Sequence, residues 1–258
     1  MIGKASTGSG KTLAFGVPIL EHYIAAVDSG ARGSKQEAGG KVQSPPIALI
    51  LLPTRELAHQ ISAHLTELCS NAPLGGPRIA TLTGGLSMQK QQRLLSNADV
   101  IVGTPGRLWE VISDGQGALK QLKQIKFLVV DEADRLLSEG HFKEVEEILA
   151  ALDREDVDSE SADEKNDDDD RLAEAKTRRQ TLVFSATFHK GLQQKLAGKG
   201  KPGSGDLMDW KESMEYLLKK LNFREEKPKF IDMNPVSQMA EGLKEGLVEC
   251  AALEKVGR

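Results

Sequence analysis

The sequence predicts an α/β domain: a mostly parallel β-sheet with helices on both faces. Two observations carry this. Short apolar runs rich in branched residues alternate along the chain with amphipathic stretches of helical period. The apolar runs are continuous, as strands covered on both faces are. A third observation points the same way: the glycine-rich stretch ASTGSGKT at 5–12 runs directly into a helical pattern.

Taken in order, the first helix is predicted over 11–27, entered from that glycine-rich loop. Residues 28–46 are rich in glycine, serine and proline and predict a flexible loop. A strand follows over 47–52 (IALILL), then a helix over 55–70 and a strand over 79–82. Helix 87–95, strand 99–102 (DVIV), helix 105–113, strand 126–130 (KFLVV) and helix 142–152 continue the alternation. Residues 153–170 then hold 11 acids and two bases, too much charge to bury, and predict a disordered acidic insert. Strand 181–184 (TLVF) and helix 189–197 resume the pattern. Residues 198–228 read as a linker and an amphipathic helix insert, with Trp210, Met214, Leu217, Leu218 and Leu221 on one helical face. Docking of that stripe on the domain is the plainer expectation, and binding of a partner is the alternative.

Charge is unevenly spread. The net charge of -4 resolves into a local -9 in the acidic run and +5 on the remaining 240 residues. A mildly basic body permits a nucleic-acid partner without arguing for one. Apolar runs such as 47–52 are far shorter than the roughly 20 residues of a membrane span. Met1-Ile2-Gly3-Lys4 leads straight into the loop, so no signal peptide is expected. The two cysteines, Cys69 and Cys250, are expected to be reduced and structural. The five histidines have no metal-binding spacing; His59 and His64 fall on the helix over 55–70 as ordinary side chains.

The chemistry concentrates in two motifs. In Ala5-Ser6-Thr7-Gly8-Ser9-Gly10-Lys11-Thr12, small residues allow backbone N–H groups to approach phosphate, and the helix start adds its positive end. Lys11 would reach the β- and γ-phosphates, and the Thr12 hydroxyl would ligate Mg²⁺. Ala5 stands where the general pattern has glycine. In Val129-Val130-Asp131-Glu132-Ala133-Asp134, an apolar strand delivers carboxylates to its C-terminal end, expected beside the phosphate loop. Asp131 would hold the Mg²⁺ shell, and Glu132 would orient and deprotonate an attacking water. Hydrolysis by such a site rests on positioning and charge neutralisation.

With Pro53-Thr54-Arg55-Glu56-Leu57-Ala58, Gly84-Gly85, Thr104-Pro105-Gly106-Arg107 and Ser185-Ala186-Thr187 between and after these motifs, the chain resembles the first RecA-like domain of a DEAD-box ATP-dependent RNA helicase. The order and spacing of the series are specific; any one of the shorter motifs alone is ordinary turn or cap chemistry. The resemblance covers residues 1 to about 197, with the domain expected over 1–255 and an interdomain linker beginning in 243–258. It implies a RecA-like P-loop fold, ATP and Mg²⁺ as cofactors, and RNA as partner. Pro53, Thr54, Arg55, Gly84, Gly85, Thr104, Pro105, Gly106 and Arg107 would line a groove for the RNA backbone. Binding there would be sequence-tolerant. Ser185, Ala186 and Thr187 would couple nucleotide state to RNA grip through Asp134.

The stretch QTLVFSATFHKGLQQKL and the later KPKFIDMNP are most similar to fungal nucleolar helicases of large-ribosomal-subunit assembly, which implies the nucleus and nucleolus, preribosomal partners and a monomer. The family's adenine-recognition segment and second RecA-like domain are not in this sequence. The second domain brings an arginine finger, worth roughly 10³ to 10⁵ in rate. The isolated chain is therefore expected to bind nucleotide weakly and hydrolyse it poorly. The alternative is a truncated, non-catalytic binder of RNA or preribosomal partners.

Overall fold

The computed structural model describes residues 1–6, 8–30, 32, 44–70, 75–114, 117–138, 142–154, 179–186, 218–219, 221, 223 and 228–233. Thr7, Thr187, Cys250, the helix expected over 189–197, residues 155–170 of the acidic run and the Trp210–Leu217 part of the apolar stripe lie outside these.

Among the described residues seven strands form one sheet: β1 (Ile2–Lys4), β2 (Ala48–Leu51), β3 (Ile79–Leu82), β4 (Val100–Gly103), β5 (Phe127–Val130), β6 (Gln180–Ser185) and β7 (Phe230–Asp232). Their spatial order is β3-β4-β2-β5-β6-β1-β7, and every pairing is parallel. The helices are α1 (Lys11–Asp28), α2 (Arg55–Leu68), α3 (Met88–Ser96), α4 (Pro105–Asp114), α5 (Ala118–Leu122), α6 (Ala133–Ser138) and α7 (Phe142–Asp153). Each expected strand and each helix inside the described residues is present, with ends moved by one or two positions.

The pleat explains why the strand sequences are apolar throughout. In β2, Leu49 and Leu51 face one layer of core, while Ala48 and Ile50 face the other. The first layer is closed by Leu108, Val111 and Ile112 of α4, Leu136 of α6 and Val145, Ile148 and Leu149 of α7. Phe15, Ile19 and Tyr23 of α1, with Ala58, Ile61 and Leu65 of α2, close the second. Leu218 and Leu221 are buried in the first layer, so this end of the apolar stripe docks on the domain.

An ionic knot holds the end of the sheet away from the motifs. Asp99, 2% exposed, precedes β4 and accepts from Arg32 Nη1 at 2.8 Å, Arg78 Nε at 3.1 Å and the Arg78 backbone N–H at 2.7 Å. Arg32 also donates to the Pro45 carbonyl. Arg32, within the glycine-rich segment, is thus fastened to this end of the sheet.

Candidate functional site

Because every strand runs the same way, every strand's C-terminal end opens on one edge. The loops after β1 to β6 carry the six motifs in turn: 5–12, 53–58, 84–85, 104–107, 131–134 and 185–187. Strand order then sorts them. Strands β3, β4 and β2 are contiguous and bring the arginine- and glycine-bearing loops together; β5, β6 and β1 bring the acids, the hydroxyl motif and the phosphate loop together. The strand bearing Asp131 is not the immediate neighbour of β1, because β6 runs between them, yet its carboxylates still stand beside the phosphate loop, as the contact of Lys11 with Glu132 shows. Ser185, fully buried at the end of β6, stands between phosphate loop and carboxylates, and its carbonyl accepts from Ala5 N–H at 3.2 Å.

In the nucleotide half, Gly8 and Gly10 have φ of 81° and 88°, a left-handed backbone that side chains disfavour. Ser9 closes the turn through its hydroxyl, which donates to the Ser6 carbonyl at 2.7 Å. Lys11 and Thr12 occupy the first turn of α1. Lys11 Nζ donates to the Ala5 carbonyl at 3.1 Å and to Glu132 Oε1 at 3.0 Å. Glu132 is held at φ 50°, a position rare outside glycine, and strain of this kind concentrates at functional sites. Its N–H donates to Asp131 Oδ1 at 2.9 Å. Asp131 is 3% exposed, and its carboxyl is pushed up to about 6, chiefly by burial and further by Glu132 and Asp134, with Lys11 opposing. Asp134 lies in the first turn of α6, which packs against β6.

The residues present fit a nucleotide with Mg²⁺. The loop offers backbone donors and a lysine, and the buried Asp131 carboxylate needs a cation beside it. Thr12 and Asp131 are oxygen donors, the set a hard cation takes. Among the described residues no group of three His, Cys, Asp or Glu could hold a metal ion.

The other half is an open groove of about 640 Å³ lined by Pro53, Thr54, Arg55, Glu56, Gly84, Gly85, Thr104, Gly106, Arg107 and Glu110. Thr54 caps α2, its Oγ1 accepting from Leu57 N–H at 3.3 Å. A side chain at Gly84 would collide with the Arg55 guanidinium, and Gly85 has φ 108°. Pro105 departs from expectation: it is buried at the first position of α4, the place a missing N–H is tolerated, and does not line the groove. Sequence reasoning passed over Glu56 and Glu110, both in the groove wall, and Gln91 beneath it. Glu56 lies within the 53–58 motif, while Glu110 and Gln91 lie in none and only the fold shows their place.

Comparison with known proteins agrees with this geometry. The profile of the family described as DEAD/DEAH box helicase matches residues 1–195. The chain is 66% identical over 255 residues to the ATP-dependent RNA helicase mak5 of Aspergillus terreus, covering 99% of this chain and 32% of that protein. It is likewise 66% identical over 257 residues to MAK5 of Ajellomyces capsulatus, again covering 32% of the relative. The chain thus spans about a third of the length of these curated relatives. Among solved structures, the yeast DEAD-box splicing factor Prp28 is 31% identical with a TM-score of 0.52, over 78% of this chain and 39% of that one. The DEAD-box helicase Mss116 bound to ssRNA and UDP-BeF is 26% identical with a TM-score of 0.56, over 90% of this chain and 36% of that one. With the profile spanning the phosphate loop, the acidic strand end and the hydroxyl motif of β6, this chain belongs to the DEAD/DEAH box helicase family.

Proposed function

We propose that this chain supplies the ATP-binding half of an RNA helicase, coupling ATP hydrolysis to remodelling of RNA duplexes or RNA–protein complexes. The observation that carries the reading is the division of one sheet edge into a phosphate-loop half and an arginine- and glycine-lined groove, with β5 and β2 side by side at the boundary. Gly8, Gly10 and the start of α1 would cradle the phosphates, with Lys11 leaving Glu132 to reach them. Thr12 and Asp131 would hold Mg²⁺, which neutralises charge developing on the transferred phosphoryl group. Glu132, released by Lys11, is placed to orient a water and take its proton. Arg55, Arg107, Thr54, Thr104 and the groove glycines would hold an RNA strand by its backbone, a mode that reads no bases.

The finer reading places this activity in large-subunit ribosome biogenesis, in the nucleolus and on preribosomal RNA. It is supported by the likeness of QTLVFSATFHKGLQQKL and KPKFIDMNP to the fungal nucleolar group. RNA-stimulated ATP hydrolysis by the folded chain, with Lys11→Ala as control, tests the central claim. Activity that rises with RNA and vanishes in the variant supports it. Activity no higher than the variant's, with RNA binding intact, moves the chain to a non-catalytic binding role.

A further inference from the structure

Gln91 lies in α3 beneath the groove and has no exposed surface. A primary amide removed from water is tolerated when its groups are bonded. Its Nε2 donates to the Thr83 carbonyl at 2.7 Å and the Leu86 carbonyl at 3.4 Å, while Oε1 accepts from Arg107 Nε at 2.7 Å. Two carbonyls on one side and a guanidinium on the other permit only this orientation of the amide. Thr83 and Leu86 flank Gly84-Gly85, and Arg107 lies in the first turn of α4. One buried side chain therefore joins the turn after β3 to the helix after β4.

Arg107 also gives Nη2 to the Leu86 carbonyl at 2.9 Å and Nη1 to Glu110 Oε2 at 2.6 Å. Of a guanidinium's five N–H groups, three are thus spent within the protein and two remain. Leu86 and Glu110 are exposed, 44% and 58%. Of the three partners only Gln91 is fully buried.

We propose that Gln91 is a positioning residue for RNA: it fixes the plane of Arg107 against the Gly84-Gly85 turn, so that the remaining N–H groups of Arg107 and the turn engage phosphates of one strand together. This rests on reading the groove as the RNA site. Gln91 itself touches no RNA.

The test uses the full chain, a short fluorescent oligouridylate and a Mg²⁺-bound non-hydrolysable ATP analogue, with anisotropy measured across a salt series. On a single strand each phosphate contact contributes about 0.7 to the slope of log affinity against log salt. Arg107→Ala should lower the slope by about that amount and the affinity about tenfold. Gln91→Met changes no charge, yet should lower both alike, and should add nothing in the Arg107→Ala background. Arg107→Lys keeps the charge but has no guanidinium plane for Gln91 to fix, and should bind RNA nearly as weakly as Arg107→Ala.

Wild-type affinity and slope in Gln91→Met would overturn the proposal. So would a loss without change of slope, or one additive with Arg107→Ala, since either marks a merely structural side chain. Where melting shows Gln91→Met unfolded, Arg107→Lys decides: wild-type affinity in that variant refutes the link. An Arg107→Ala protein that binds like wild type is a separate failure, removing Arg107 from the RNA site and the proposal with it.

Discussion

The Lys11 ammonium lies 3.0 Å from the Glu132 carboxylate, the two reaching each other across the end of β6 with side chains 8% and 15% exposed. Nucleotide phosphates must take the lysine away from this partner. Glu132→Gln removes the competing charge, so it should tighten binding of a non-hydrolysable ATP analogue several-fold, about 1 kcal/mol. Lys11→Ala should weaken it tenfold or more. Calorimetric titration reads both, and equal affinity in Glu132→Gln and wild type would show that the contact does not compete.

Asp131 gives the fold a pH dependence of unusual sign for a carboxylate. Its folded value is raised to about 6 from 3.8, chiefly by burial. Below the lower value both folded and unfolded chains carry the proton and nothing is lost. Between the two, the unfolded chain ionises first, so the nucleotide-free domain loses stability as pH rises, by about 3 kcal/mol in all. Asp131→Asn should abolish this contribution; denaturation midpoints of the two proteins from pH 4 to 7 should converge at the acid end. Mg²⁺-nucleotide affinity should rise through the same window.

Two glycines at neighbouring strand ends predict opposite phenotypes. At Gly84 an added Cβ meets the far end of the Arg55 side chain, which can swing away. Gly84→Ala should therefore leave the melting temperature nearly unchanged while weakening RNA binding about tenfold by displacing Arg55. At Gly103 the Cβ would stand 2.7 Å from the Leu82 backbone carbonyl, inside paired strands. Gly103→Ala should cost about 1 to 3 kcal/mol of stability.

Asp99→Asn should be among the most destabilising surface-distant changes, since it leaves Arg32, itself 8% exposed, without a counter-charge. A loss of about 3 to 5 kcal/mol is expected by chemical denaturation. A loss below 1 kcal/mol would mean that water reaches Arg32 once Asp99 is neutral.

The sequence was most legible where local pattern and chemistry coincide. Continuous runs such as IALILL announced strands buried on both faces, and the motifs sat at their ends. β1 and β7 were missed as strands because three residues carry no period of their own, and α5 is barely longer. Which strand lies beside which is a non-local matter; nothing in Val129-Val130-Asp131 says that β6 separates it from the phosphate loop. Gln91 was invisible for a related reason. A glutamine on a polar helix reads as surface, and only the packing of α3 over the turn after β3 buries it.

The interleaving of the two halves along the chain sets an order of assembly. The groove strands β2 to β4 are consecutive, whereas β1 waits for a partner far downstream: Ile2 pairs with Val183, and the Met1 amine donates to the Thr181 carbonyl. The groove half also leans on later residues, since β2 has β5 as its other neighbour and α4 packs against α7, but the phosphate loop waits longest, for β6. Pairing at such sequence separation is slow. The phosphate loop, early in the sequence, is thus the last part of the edge to gain its neighbour strand.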